Sequence, residues 1–110
     1  MASEKQFENK IKKYLKDLGC HPIKFMGNAF TEAGVPDIFV SVNGYALYIE
    51  VKAQTGKPSE LQLAKIEQLR GGNSMAFAYV VYPSGWEKLK DIIDGLLIDR
   101  FNREEDVILK

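Results

Sequence analysis

Asn43-Gly44, set between two apolar-rich runs at Pro36 to Val42 and Tyr45 to Lys52, constrains this chain more than any other pair of residues. Asn-Gly between such runs is the strongest short-range signal for a two-residue β-hairpin. The turn fixes a register. Val42 faces Tyr45, and pairs count outward as Ser41 with Ala46, Val40 with Leu47, Phe39 with Tyr48, Ile38 with Ile49, and Asp37 with Glu50. Side chains alternate faces along a strand, so Asp37, Glu50 and Lys52 share one face. Ile38, Val40, Val42, Tyr45, Leu47, Ile49 and Val51 fall on the other. One face reads as a core and the other carries chemistry. A β-bulge or a longer loop would shift the pairing by one and break this shared face.

The opposed carboxylates of Asp37 and Glu50 are a problem that the fold has to solve. Directly paired residues have Cβ atoms about 4.5–5.5 Å apart, and like charges placed that way weaken the pairing. A divalent cation between them, the neighbouring lysine, or a raised pKa on one acid would each relieve the repulsion. The cation makes the best use of both acids at neutral pH. A few hard oxygen ligands, with room for waters and a phosphate, describe a Mg²⁺ site better than a Zn²⁺ or Ca²⁺ site.

At 110 residues the chain is expected to form one domain with a single core. Its one cysteine, Cys20, has no partner for an internal disulfide or a thiolate metal site, and reads as a buried, inert thiol. The N-terminus lacks a signal-peptide core and no apolar run is long enough to cross a bilayer, so a soluble, intracellular protein is expected, with no membrane partner. Formal net charge is zero, which argues against bulk coating of nucleic acid but leaves room for a local basic patch. Lys10, Lys12, Lys13 and Lys16 crowd the first predicted helix, while acids gather towards the C-terminus. Such lysines are also ordinary solubilising charge on an outer helix face, and both readings stand.

In chain order, Phe7, Ile11, Tyr14, Leu15 and Leu18 predict a helix over Ser3 to Leu18, with Gly19 as its stop. Glu8 borders the buried stripe. It is either an extra carboxylate for the site or a boundary residue paired with Lys12. His21 to Met26 reads as a short strand, and Gly27 to Gly34 as a loop able to face a substrate. The lone His21 has no second ligand and suits a structural place at a strand edge. After Lys52 comes a turn-rich connector, Ala53 to Pro58. A helix starting at Ser59 then packs Leu61, Ala64, Ile66 and Leu69 onto the sheet. Ser59 and Gln62 have the spacing of a capping box, so Gln62 is either a cap or a site residue. Gly71-Gly72-Asn73 ends the helix, and Met75 to Tyr82 reads as a buried strand parallel to Tyr45 to Lys52. Trp86, Leu89, Ile92, Ile93, Leu96 and Leu97 make another amphipathic helix, with Trp86 in the core. Asp99 to Lys110 reads as a loose tail or an arm that docks on a partner subunit.

Written out, the chemical face is Gly34-Val35-Pro36-Asp37, twelve residues, then Glu50-Val51-Lys52, and this resembles the PD-(D/E)XK nuclease motif. The order of elements is similar to that superfamily's α/β restriction-endonuclease-like fold, an αβββαβ core around a central mixed β-sheet flanked by helices, and covers nearly the whole chain. Within the superfamily it most resembles the virus-type replication-repair nuclease (VRR-NUC) domain, which carries G-x-P-D, E-V-K and a glutamine in the next helix. The resemblance implies that Asp37 and Glu50 hold a divalent metal, Mg²⁺ or Mn²⁺, with the backbone carbonyl of Val51 as a further ligand. It implies that Lys52 positions or helps deprotonate the attacking water, that Gln62 is the helical glutamine, and that Glu8 is the first-helix acid, although Glu4 lies one turn away on nearly the same face. The implied reaction is endonucleolytic cleavage of branched DNA, such as a Holliday junction, leaving a 5′ phosphate and a 3′ hydroxyl. A homodimer would present two sites to such a substrate. If the chain is viral, its place would be the host cytoplasm. The competing readings are a non-catalytic nucleic-acid binding module on the same fold and, more simply, Glu50 and Lys52 as ordinary solvent-face strand charges.

Overall fold

In the computed structural model, residues 3–25, 32–71, 75–101 and 106–110 are described. The predicted loop up to Thr31, the predicted strand end at Met26, and Gly72-Asn73 lie outside them. Helix α1 spans Glu4–Asp17 and is followed by strands β1 (Ile23–Lys24), β2 (Ile38–Val42) and β3 (Tyr45–Val51), helix α2 (Glu60–Arg70) and strand β4 (Ala76–Val81). A 3-10 turn at Pro83–Gly85 leads into α3 (Trp86–Leu97), and β5 (Ile108–Leu109) follows. The sheet order is β1-β2-β3-β4-β5. The first three strands are antiparallel, while β4 runs parallel to β3 and β5 parallel to β4. This is the mixed, helix-flanked α/β sheet of the restriction-endonuclease-like fold.

The hairpin has the register that its turn demands, from Val42 opposite Tyr45 to Ile38 opposite Ile49. Asn43 (φ 50°) and Gly44 (φ 81°) both take the positive φ of a type I′ turn. Asn43 has a second task that local sequence does not announce. Its side-chain amide donates to the Leu96 carbonyl at 3.0 Å and to Asp99 Oδ1 at 3.2 Å, so the hairpin tip caps the end of α3.

α1 starts with a capping box between Ser3 and Gln6. It stops at Gly19 in a Schellman arrangement, with the Gly19 amide on Lys16 O and the Cys20 amide on Leu15 O, both at 2.9 Å. Phe7, Ile11 and Leu15 of α1, Trp86, Leu89, Ile93 and Leu96 of α3, and the hairpin residues Ile38, Val40, Val42, Leu47, Ile49 and Val51 close one core. Cys20 is half-buried against it, and burial raises its thiol pKa.

The other sheet face is more than a bed for chemistry. α2 covers it through Ile66, Leu63 and Leu69, which meet Tyr48, Ala78, Val80 and Tyr82 in a second apolar cluster. Every residue of β4 is buried, as expected of a parallel strand covered on both sides. The sequence expectation for α2 needs correction. Leu61 is 54% exposed and Ala64 is also exposed, while Leu63 takes the inward place. Apolar residues at 61, 63, 64, 66 and 69 form two overlapping stripes, so periodicity alone leaves the rotation of the helix open. Tertiary contact decides it. Gly34 (φ 82°) lies so close that a Cβ there would meet the Leu61 carbonyl oxygen at 2.9 Å.

Two further expectations change. Among the described residues of the strand predicted over His21 to Met26, Ile23–Lys24 are extended and paired, and His21 is exposed ahead of them. Ile108–Leu109, read as part of a loose tail or docking arm, instead forms β5, with Leu109 buried. The Val80 amide donates to Val107 O at 2.8 Å and the Tyr82 amide to Leu109 O at 3.0 Å. A two-residue strand beside a charged segment has no periodicity to detect.

Two glycines separate backbone strain from steric closure. A Cβ on Gly44 meets nothing within 4 Å, so Gly44→Ala carries only the left-handed backbone penalty, about 1 kcal/mol. On Gly85 a Cβ would lie 2.2 Å from Leu109 O, so Gly85→Ala must displace β5 and costs about 2 kcal/mol or more. Urea denaturation of the two variants is expected to rank them in that order.

Candidate active site

The predicted site assembles where β3 ends, beside the first turn of α2 and the bend that leads into β2. Asp37 stands one residue before β2, with both its carbonyl and its carboxylate engaged. Its carbonyl accepts from the Phe25 amide at 2.7 Å, and its carboxylate Oδ2 accepts from the Val51 amide at 2.8 Å. That bond to a charged acceptor is of the stronger kind. It replaces the next ladder bond of the hairpin and fixes the carboxylate against the β3 backbone.

Glu50 is 2% exposed. Its Oε2 accepts from Gln62 Nε2 at 3.2 Å and lies 3.4 Å from Lys52 Nζ. Oε1 is buried without a hydrogen-bond partner among the described residues. Burial first, and the Asp37 charge second, push the Glu50 carboxyl up to about 7, against the downward pull of Lys52. Without a metal, the repulsion between the acids is therefore relieved by a proton and an ammonium together.

Gln62 does not have to choose between its two expected roles. Its Oε1 accepts from the Ser59 amide at 2.9 Å, while its Nε2 donates to Glu50. A carboxamide has an acceptor at one end and donors at the other, so one side chain caps α2 and orients the acid. Lys52 is anchored by its amide on Val81 O at 3.0 Å, and its side chain is 14% exposed.

Glu8 is near but apart. It sits on α1, 3% exposed, and its partners among the described residues are lysines: Lys24, hydrogen-bonded to Oε1, Lys12 at 3.2 Å and Lys5 at 3.9 Å. Burial alone would raise its carboxyl pKa, but the bonds from Lys24 and Lys12 outweigh that and hold it below the usual value. The expected Lys12 pair is thus present, but as one part of a buried cluster. Lys24, which sequence reasoning did not single out, is raised by its bond to Glu8 and feels the Asp37 charge as well. It links α1 electrostatically to the Asp37 edge. No local signal marks it, since Glu8 lies sixteen residues away.

The donor set fits a hard divalent cation. Asp37 and Glu50 provide carboxylate oxygens, and the orphaned Glu50 Oε1 needs a cationic or hydrogen-bonding partner. No group of three or more His, Cys, Asp or Glu is assembled among the described residues, so Asp37 and Glu50 are the carboxylates the site offers. In an extended strand the N–H and C=O of one residue project to the same side. The Val51 amide points at Asp37, and its carbonyl faces the same side.

For the metal-free protein, the raised Glu50 pKa sets a sign. Below about 4.5 the acid is protonated in both folded and unfolded chains, and no penalty applies. As pH rises from there to about 7 the unfolded chain ionises first, so the contribution is lost, and above about 7 the folded protein carries the full cost, on the order of 3 kcal/mol. Glu50→Gln is expected to remove this part of the pH dependence. Denaturant unfolding of both proteins across that window without divalent ions checks it, and parallel curves would refute it.

The model of the archaeal Holliday junction resolvase (Hjc) family matches residues 2–79, which include Glu8, Asp37, Glu50, Lys52 and Gln62. No curated protein and no solved structure matches. The resolvase family lies in the PD-(D/E)XK superfamily that the motif resembles. From the matched span and this fold, the chain belongs to the archaeal Holliday junction resolvase family, whose members are divalent-metal-dependent, structure-selective DNA endonucleases.

Proposed function

We propose that Asp37, Glu50 and the Val51 carbonyl hold Mg²⁺, or Mn²⁺, and that Lys52 serves the hydrolysis of a phosphodiester in a Holliday junction or similar branched DNA. The observation that carries this reading is Glu50 Oε1, a buried acid oxygen that meets no hydrogen-bond donor among the described residues, next to a second acid and a lysine. A bound divalent ion lowers the pKa of a water and takes up charge on the phosphate oxygens. Gln62 holds Glu50 by Oε2 and leaves Oε1 for the ion. Val51 holds Asp37 in the same way by Oδ2. Lys52, beside Glu50, orients the attacking water and stabilises the phosphate. Glu8 supports the site by holding Lys24, which feels the Asp37 charge.

Motif letters shared with the VRR-NUC branch, G-x-P-D, E-V-K and the helical glutamine, support a kinship with it inside the superfamily. A pure binding module explains less, since it has no use for a buried acid set beside a second acid whose charge raises its pKa in the metal-free fold. Asp37→Ala, Glu50→Ala and Lys52→Ala are each expected to lower Mg²⁺- or Mn²⁺-dependent cleavage of a four-way junction by about a hundredfold or more. A panel of junctions, flaps, splayed duplexes and single strands separates substrates in the same assay. Full activity in Glu50→Ala would overturn the mechanism, and DNA binding without cutting under either ion would favour the binding module.

The same reading includes a homodimer, which would bring two sites to one branched substrate. Exposed Leu97, Ile98 and Phe101 at the end of α3 support an apolar interface near the hairpin tip. Sedimentation equilibrium is expected to give twice the 12.4 kDa chain mass, and a monomer at micromolar concentration would refute the dimer.

A further inference from the structure

The connector after Lys52 is bound more firmly than its turn-rich sequence suggests. Gln54 and Ser84 exchange two hydrogen bonds, from Gln54 Nε2 to Ser84 Oγ and from the Ser84 amide to Gln54 Oε1, both at 3.0 Å. Tyr82, 3% exposed, donates its hydroxyl to the Gly56 carbonyl at 2.8 Å. The Gly56 amide closes the turn on Ala53 O at 2.9 Å. Between those ties the loop lies along the lysine: a Cβ placed on Gly56 would sit 3.6 Å from Lys52 Cδ. Tyr82 is itself backed by β5, through its amide on Leu109 O at 3.0 Å and the Lys110 ammonium 4.6 Å from its ring centre. Tyr82, Ser84 and Lys110 all lie beyond residue 79, where the family match ends.

We propose that Gln54 and Tyr82 are positioning residues for the reaction: they strap the 53–58 loop against the Lys52 stem and hold its ammonium beside Glu50. The inference rests on the proposed role of Lys52. A lysine has four rotatable bonds, and a free one spends little time in any single geometry. Restricting the stem from one side, while the Lys52 amide is held on Val81 O, confines the ammonium without any bond to it. Small displacements of an aligned group are costly to rate, up to about a hundredfold for about 1 Å. The loop thus converts packing from the C-terminal part of the sheet into alignment at the site.

The test uses the full chain with Gln54→Ala, Ser84→Ala and Tyr82→Phe. Single-turnover cleavage of a four-way junction at saturating enzyme, well below the thermal midpoint, is expected to slow about tenfold or more in Gln54→Ala and Tyr82→Phe, with junction affinity unchanged and the midpoint lowered by only the few degrees that lost hydrogen bonds cost. Ser84→Ala keeps the backbone donor to Gln54 and loses less. In parallel, lysine acylation read by peptide mass spectrometry reports the strap without any cleavage. Lys52 should be protected in the parent protein and gain reactivity in Gln54→Ala and Tyr82→Phe. Unchanged Lys52 labelling in both variants overturns the strap, whether or not junctions are cut. Rates that fall only in step with affinity or thermal midpoint overturn the positioning role. A parent protein that binds junctions without cutting them refutes the nuclease reading instead, and the labelling result then stands on its own.

Discussion

The hydrogen bond from the Val51 amide to the Asp37 carboxylate is the contact on which the rest of the site depends. It ties the bend before β2 to the last residue of β3. The second acid, the lysine and the bend are then held in one frame. An antiparallel pair ordinarily ends by fraying. Here the side chain that would have faced solvent instead completes the ladder, and it is drawn beside Glu50 as a result. The hairpin turn at the far end sets the register and this bond secures the near end. Glu50 can be buried because both ends are fixed.

Burial of Glu50 in turn explains why α2 sits as it does. A buried carboxyl needs a donor, and Gln62 meets that need with the amide end left over after capping its own helix. The helix then cannot rotate freely, and Leu61 is turned outward at the expense of apolar burial. Gly34 accepts the close approach of that first turn. Charge in the site and packing on the second sheet face are one problem, solved by one helix.

A different logic holds at the α1 edge. Glu8 is as buried as Glu50, yet its carboxyl is held low and not high, because lysines surround it where Asp37 crowds Glu50. Two buried acids in the same protein thus take opposite protonation preferences. At Glu50 burial and the Asp37 charge together outweigh Lys52, whereas at Glu8 the bonds from Lys24 and Lys12 outweigh burial. Among the described residues one lysine pairs with Glu50, while three surround Glu8, so positive charge is scarcer at the acid pair.

The hairpin, its register, the parallel crossover to β4 and the buried stripe of Phe7, Ile11 and Leu15 in α1 were legible in the residues, as was the gathering of Asp37, Glu50 and Lys52, while Leu18 of that stripe is exposed. Each of these follows from local rules: the Asn-Gly turn, the two-residue alternation of strands and the helical repeat. Tertiary structure alone decided the rest. The rotation of α2 depended on Gly34 and Glu50, and the fate of Glu8 depended on Lys24. The end of the chain became a strand because β4 still had an open edge, and Asn43 acquired a helix to cap. Gln62 kept both of its possible roles because folding brought Glu50 within reach of its free amide. These are contacts between residues far apart in the chain, and neither propensity nor periodicity carries information about them.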